Sequence, residues 1–398
     1  MKNVTLAFAL ALATMASGIP TQPLCAATAN QTQQRGTVID VESLGVVNKA
    51  KLQKIAAEFP GDISVKQDVE LFRVTYWTVF KGNPTKASGL LGIPQNVSLP
   101  KGVMIYLHGT NNTRALSPSQ PNRADGDSEA AIFGGNGYYV VLPDYIGQGI
   151  SQDPHPYIVT KPLVDDAIDM LKAVRQITKD RKLGWSPNLF MMGFSQGGQV
   201  VAGVHRELDR RPLRDYRLRG SIGVAGPYEL RKTSLPKALE NECLKCVGYL
   251  AWGSMAYASY YGHDLREALK PAYVDVVPKL FDGSKTIWEI GAALPTKVED
   301  VFQPQFLKAL RTDSDKWFTK GMDRNETYRW VPVAPIRLYF GEADVDVSPL
   351  ASKAFFDYAK QRGGNVSLHS LGPVDHMASI SLAYTAALQW FEEMSQAD

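Results

Sequence analysis

Leu189-Phe-Met-Met-Gly-Phe-Ser-Gln-Gly-Gly-Gln-Val-Val-Ala-Gly-Val-His-Arg-Glu-Leu208 decides the fold. The apolar run 189–192 reads as a strand, and 199–208 carries apolar residues at helical spacing. Between them stand Gly193-Phe194-Ser195-Gln196-Gly197-Gly198. A serine at the apex of so sharp a turn has a strained backbone, and its neighbours two residues away on either side must be small. The turn lifts the hydroxyl clear of the sheet. It also aims the helix N-terminus and the Gln196 amide at the place where an oxyanion would form. Ser195 is therefore the candidate nucleophile.

Working outward, Gly102-Val-Met-Ile-Tyr-Leu107 is a continuous apolar run, as expected of a strand buried on both faces. It ends in His108-Gly109-Thr110, and the polar loop 111–127 follows. Tyr138-Tyr-Val-Val-Leu142 is a second such strand, closed by Pro143-Asp-Tyr-Ile-Gly-Gln-Gly149. Residues 165–178 have helical spacing, and Gly220-Ser-Ile-Gly-Val-Ala225 is another strand. This alternation implies a mostly parallel sheet covered by helices on both faces. Residues 70–80 and 87–94 read as two opening antiparallel strands, turned at Gly82-Asn83-Pro84. Residues 51–59 read as a short helix, and 380–394 as a closing amphipathic one. From Gly226 to Val333 no buried strand is legible and aromatic residues abound. The strands resume at Pro335-Ile-Arg-Leu-Tyr-Phe340 and Val366-Ser-Leu-His-Ser-Leu371.

A chain of 398 residues is long for one domain, which suits a core carrying an inserted helical cap. The expected division is a secretory signal at 1–27, a core at 28–225, a cap at 226–333 and the rest of the core at 334–398. Lys2 followed by the apolar stretch 4–16 and small residues near Ala27 supports the signal and an exported, periplasmic or secreted chain. A net charge of +3 shows no basic excess, which argues against a nucleic-acid partner. No later apolar run approaches the length needed to span a bilayer. Past the signal only Cys243 and Cys246 remain. The spacing and the oxidising compartment favour a local disulfide between them. Zinc would need a second ligand pair and a redox role a thioredoxin-like context, and neither is evident.

A serine nucleophile needs a base, and histidine titrates near working pH. Of the six histidines, His376 follows a strand at the sheet edge from which Ser195 also emerges, on what reads as a loop. The others are His108, His155 between prolines, His205 in the elbow helix, His263 in the cap and His369 within a strand. The histidine in turn needs a carboxylate. Asp344, Asp346 and Glu342 all follow the strand ending at Phe340. The order Ser195, Asp344, His376 is the one found in strand–elbow–helix hydrolases. Asp375, adjacent to the histidine, reads as a solvated loop charge.

These pieces together resemble the α/β-hydrolase superfamily, and within it the secretory lipases and esterases of the fungal lipase-A type and their bacterial relatives. The matching segments are Pro143-Asp-Tyr-x-Gly-x-Gly149, His155-Pro156-Tyr157, Gly193-Phe-Ser-Gln-Gly197, Gly341-x-x-Asp344 and Asp375-His376. The resemblance selects Asp344 as the acid. It implies an oxyanion hole made by the amides of Gln196 and of Gly109 or Thr110. It also implies cleavage of a small-molecule ester or lipid through an acyl-enzyme, chemistry that calls for no metal and no organic cofactor. A peptidase or acyl-peptide hydrolase on the same triad, or a non-catalytic binding module with this fold, are the alternatives. Within the cap, the apolar stretch 247–261 places Tyr249, Trp252 and Met255 near one helical face, with Tyr257 nearby. These are candidate acyl-binding residues, or else packing of the cap onto the core. The sequence leaves oligomeric state open.

Overall fold

Val103, Ile105 and Leu107 point to one side of the central sheet and Met104 and Tyr106 to the other, so a run with no polar residue is buried throughout. The same alternation holds in Leu189 and Met191 against Phe190 and Met192. The computed structural model describes residues 34–240, 245–314 and 317–396. The expected signal at 1–27 and Cys243 lie outside these residues.

Nine strands form one sheet: β1 (Val38–Val47), β2 (Val69–Phe80), β3 (Asn83–Pro94), β4 (Val103–Leu107), β5 (Tyr139–Pro143), β6 (Asn188–Phe194), β7 (Arg217–Val224), β8 (Ile336–Phe340) and β9 (Val366–Ser370). Their spatial order is β1-β2-β3-β5-β4-β6-β7-β8-β9. Pairs from β1 to β3 and β3 with β5 are antiparallel, and every pair from β5 to β9 is parallel. One face is covered by α3 (Thr160–Asp180), α4 (Gln196–Arg210) and α7 (Pro349–Lys360). The other is covered by α1 (Lys49–Ala56), α2 (Asp127–Ile132) and α8 (His376–Gln396).

One strand is added and three local expectations are corrected. Strand β1 was not anticipated, because it is an edge strand, largely exposed, whose polar residues leave no buried run to read. The β2–β3 turn is Lys81-Gly82, both at positive φ, and Asn83 and Pro84 already pair with Phe80 and Val79. A two-residue hairpin of that handedness matches the strand twist, and Pro84 is tolerated at the strand's start. The closing helix begins at His376 itself rather than four residues later. Asp375 is not a mere solvated charge: its Oδ1 accepts from the Ala378 amide at 2.8 Å and so caps α8.

Between β7 and β8 the described residues form short helices, among them α5 (Cys246–Tyr261) and α6 (Phe318–Asn325), and a single isolated bridge, Leu269 with Phe302. They enclose an apolar core of their own around Trp252, Phe281, Phe302 and Phe306, which reaches Tyr157 and Val159 beneath.

Candidate active site

Ser195 sits between β6 and α4 at φ 55° and ψ −121°, a region that non-glycine residues seldom occupy. Close packing explains its neighbours. A Cβ on Gly193 would lie 2.3 Å from the Gly197 carbonyl oxygen, and one on Gly197 only 1.7 Å from that of Leu107. Strand, turn and helix therefore fit only with glycine at both places. The Ser195 amide donates to the Val224 carbonyl at 2.9 Å, which ties the apex to β7.

His376 Nε2 lies 2.9 Å from Ser195 Oγ, and His376 Nδ1 lies 2.7 Å from Asp344 Oδ2. Both the histidine and the aspartate are buried. Asp344 Oδ1 accepts from the amides of Asp346 and Val347, each at 2.9 Å, so both carboxylate oxygens have fixed partners. The loops carrying acid and base are fastened together: the Glu342 amide donates to the Gly372 carbonyl at 2.9 Å and that of Ala343 to Val374 at 3.2 Å. The two rival carboxylates point elsewhere. Asp346 pairs with Lys245 at 2.7 Å, and Glu342 accepts from the Ser370 hydroxyl at 2.7 Å.

The other histidines have separate partners. His205 meets Ser221, His369 bonds Ser367 at 2.8 Å, and His263 stacks on Trp317. His108 lies between the carbonyls of Gly109 and Asp144, and burial lowers its pKa. His155 is buried against the elbow: its Nδ1 lies 2.8 Å from the Ile146 carbonyl and its Nε2 lies 3.0 Å from Gln196 Nε2. Burial pushes its pKa down to about 4, so the ring is neutral.

The backbone amides of Gly109, Thr110 and Gln196 donate to no acceptor among the described residues. Gly109 lies close beside Ser195, since a Cβ added there would stand 3.6 Å from that of the serine. Above these groups opens a cavity of about 110 Å³. Thr110, Ser195, Gln196 and His376 form its floor, and Leu230, Leu235, Leu250, Phe318 and Met322 give it apolar walls. Of the four candidate acyl-binding residues, Tyr249 and Tyr257 line this cavity, whereas Trp252 and Met255 do not. The Trp252 indole is stacked 4.4 Å from Tyr157 at 7° and 5.0 Å from Phe281 at 20°, deep in the insertion's own core. Met255 lines a separate crevice on the far side of α5.

Cys246, the first residue of α5, is disulfide-bonded. No group of three His, Cys, Asp or Glu side chains among the described residues is arranged to hold a metal. No helix among them is long and apolar enough to cross a membrane.

A protein from Legionella pneumophila, provisionally described as a hydrolase, superposes with a TM-score of 0.86 at 24% identity, covering 91% of this chain and 99% of its own. The rice cell wall degrading esterase LipA from Xanthomonas oryzae gives a TM-score of 0.80 at 24% identity, over 90% and 98% of the two chains. The fold is that of the α/β-hydrolases. Candida antarctica lipase A in its closed state superposes with a TM-score of 0.69 at 13% identity, covering 92% of this chain and 83% of its own. No family model and no curated protein sequence matches the chain. Within the α/β-hydrolase sheet, Ser195, Asp344 and His376 all follow the carboxyl ends of strands, the edge at which such sheets hold their ligands.

The sequence reading missed His155 and Tyr157 as neighbours of the site, and Lys245 as the partner of Asp346. The Asp153-Pro-His-Pro-Tyr157 run was the available signal, since two prolines around a histidine mark a rigid segment.

Proposed function

We propose that this chain is an exported serine hydrolase of carboxylic esters, with residues 226–333 as a cap over the site. The observation that carries the reading is the continuous hydrogen-bonded series Ser195–His376–Asp344 at the floor of an apolar cavity. Ser195 Oγ attacks the acyl carbonyl while His376 Nε2 takes its proton, and Asp344 holds the imidazole with its proton on Nδ1 and stabilises the imidazolium. The amides of Gln196 and of Gly109 or Thr110 receive the developing oxyanion. His376 then returns its proton to the departing alcohol. Water, deprotonated by the same nitrogen, attacks the acyl-enzyme and releases the acid. An apolar acyl group suits walls of leucine, phenylalanine and methionine. The leader at 1–27 supports export.

The test is Ser195→Ala against a panel of p-nitrophenyl esters, an emulsified triglyceride and an aminoacyl anilide. Ester turnover should fall by several orders of magnitude with the thermal transition intact. Ester activity within about tenfold of the parent would overturn the assignment. Faster anilide than ester cleavage would move it to amide chemistry.

A further inference from the structure

His155 reaches the elbow half of the candidate oxyanion site through the Gln196 side chain. Ile146 offers a carbonyl to His155 Nδ1, so Nδ1 must carry the proton and Nε2 must be an acceptor. The atom it faces, 3.0 Å away, is the amide nitrogen of Gln196, which can only donate. The tautomer thereby fixes the orientation of the Gln196 side chain as well. Two residues on, Tyr157 lines the same cavity as Thr110, Ser195 and Gln196. The segment around His155 is held firmly. His155 packs 5.4 Å from Trp252 and 6.3 Å from Tyr145, whose ring lies 4.2 Å from that of His108. A Cβ on Gly147 would stand 2.4 Å from the His155 backbone, so that side is closed too.

We propose that His155 is a positioning brace for the oxyanion hole, anchoring the Gln196 side chain on the elbow side. The proposal rests on the ester-hydrolase reading of the site. Its physical basis is the strained apex. The Ser195–Gln196 peptide follows a residue at φ 55°, and the Gln196 amide must point at an oxyanion that exists only in the transition state. A side chain fastened to a neutral imidazole restrains that peptide before substrate arrives. Burial lowers the His155 pKa to about 4, so it remains an acceptor at neutral pH. His155 does not line the cavity that holds Ser195 and His376, so it acts through Gln196.

A merely structural histidine would give a different pattern on mutation. His155→Phe keeps a ring between Tyr145 and Trp252 but removes the acceptor. His155→Gln supplies an oxygen in its place. Gln196→Met removes the anchored amide and leaves the backbone N–H. On active-site-titrated enzyme, His155→Phe and Gln196→Met should each lower kcat for a short ester by roughly 10–100-fold with KM within about threefold. The double variant should be no worse than the weaker single variant. Affinity for a boronic acid, whose adduct places an oxygen in the oxyanion site, should fall in step with kcat/KM. His155→Gln should restore most of the rate. Wild-type kcat in His155→Phe, whatever its melting temperature, would refute the brace, as would multiplicative losses in the double variant. If His155→Phe does not fold, Gln196→Met and His155→Gln decide alone: full activity in the first, or loss in the second equal to that in the first, refutes it. Should Ser195→Ala retain activity, the hydrolase reading and the brace fall together. Loss in Ser195→Ala beside a wild-type His155→Phe sinks only the brace.

Discussion

Asp344→Asn isolates what the acid does, because the structure dictates which way the new amide must face. Asp344 Oδ1 accepts from two backbone amides at 2.9 Å, and Oδ2 faces His376 Nδ1 at 2.7 Å. An asparagine can keep the first pair satisfied only with its oxygen there, which turns its NH2 toward the imidazole. The reverse orientation sets an NH2 against two N–H groups and leaves both without an acceptor, at about 1–3 kcal/mol for each. The amide therefore donates to Nδ1, the histidine proton moves to Nε2, and Nε2–H then points at Ser195 Oγ. In that tautomer it cannot accept the serine's proton. The expected loss in kcat is roughly 10³–10⁴, or about 4–5.5 kcal/mol at 1.36 kcal/mol per decade. KM should change little, since the cavity walls are untouched. Steady-state turnover of p-nitrophenyl acetate, normalised to titrated sites, measures it. Asp346→Asn is the control, because that carboxylate pairs with Lys245, and its loss should stay within about tenfold. Equal losses in the two variants, or a loss below about tenfold in Asp344→Asn, would refute the reasoning.

Trp252→Ala empties a fully stacked site and should cost about 3–5 kcal/mol, lowering the melting temperature while the ratio of long-chain to short-chain ester activity stays constant. A shifted ratio would return Trp252 to the substrate pocket. Leu250→Phe and Leu235→Phe narrow the cavity and should cut kcat/KM for octanoyl relative to acetyl esters by roughly 5–10-fold for each methylene excluded; an unchanged ratio places the acyl chain elsewhere. Glu129, buried and bonded to the Gly126 amide and the Tyr384 hydroxyl, has its pKa raised to about 7 by burial and by the nearby Asp125 carboxylate. The native state thus holds a proton that the unfolded chain releases near 4.5, so stability should fall as pH rises from about 4.5 to 7. Glu129→Gln should flatten that limb in a melting-temperature series, and an unaltered slope would show that Glu129 does not titrate there.

Strands buried on both faces, such as β4 and β6, were legible as unbroken apolar runs, β2, β3 and β9 were legible without one, and the exposed edge strand β1 was not. Ser195 announced itself through glycines that steric contact requires at 193 and 197. Choosing Asp344 over Asp346 by residue type was impossible, since both are aspartates two positions apart on one loop. The choice came from the pattern of the family resembled, and the geometry that separates them is the direction of each side chain. Sorting Tyr249 and Tyr257 from Trp252 and Met255 was beyond periodicity, because α5 buries residues on nearly every side. A helix that is apolar all round has no distinguishable pocket face. The contact of His155 with Gln196 was not legible because the two lie 41 residues apart, in a pairing that no spacing rule encodes.

The long excursion between β7 and β8 is pinched shut at its base. The Thr327 amide donates to the Tyr228 carbonyl at 3.0 Å, so the chain leaves and comes back through one point. Below that neck, residues 225–228 and 327–335 together supply the dozen or so positions that a crossover between adjacent parallel strands demands. Everything beyond the neck is therefore topologically optional. A short turn joining 228 to 327 would still let β8 lie beside β7, with Ser195, Asp344 and His376 on the sheet that remains. If the proposed hydrolase reading holds, the triad and most of the cavity's apolar wall sit on separately replaceable lengths of chain, and grafting a foreign excursion at 228 and 327 becomes a route to new selectivity on an unchanged reaction.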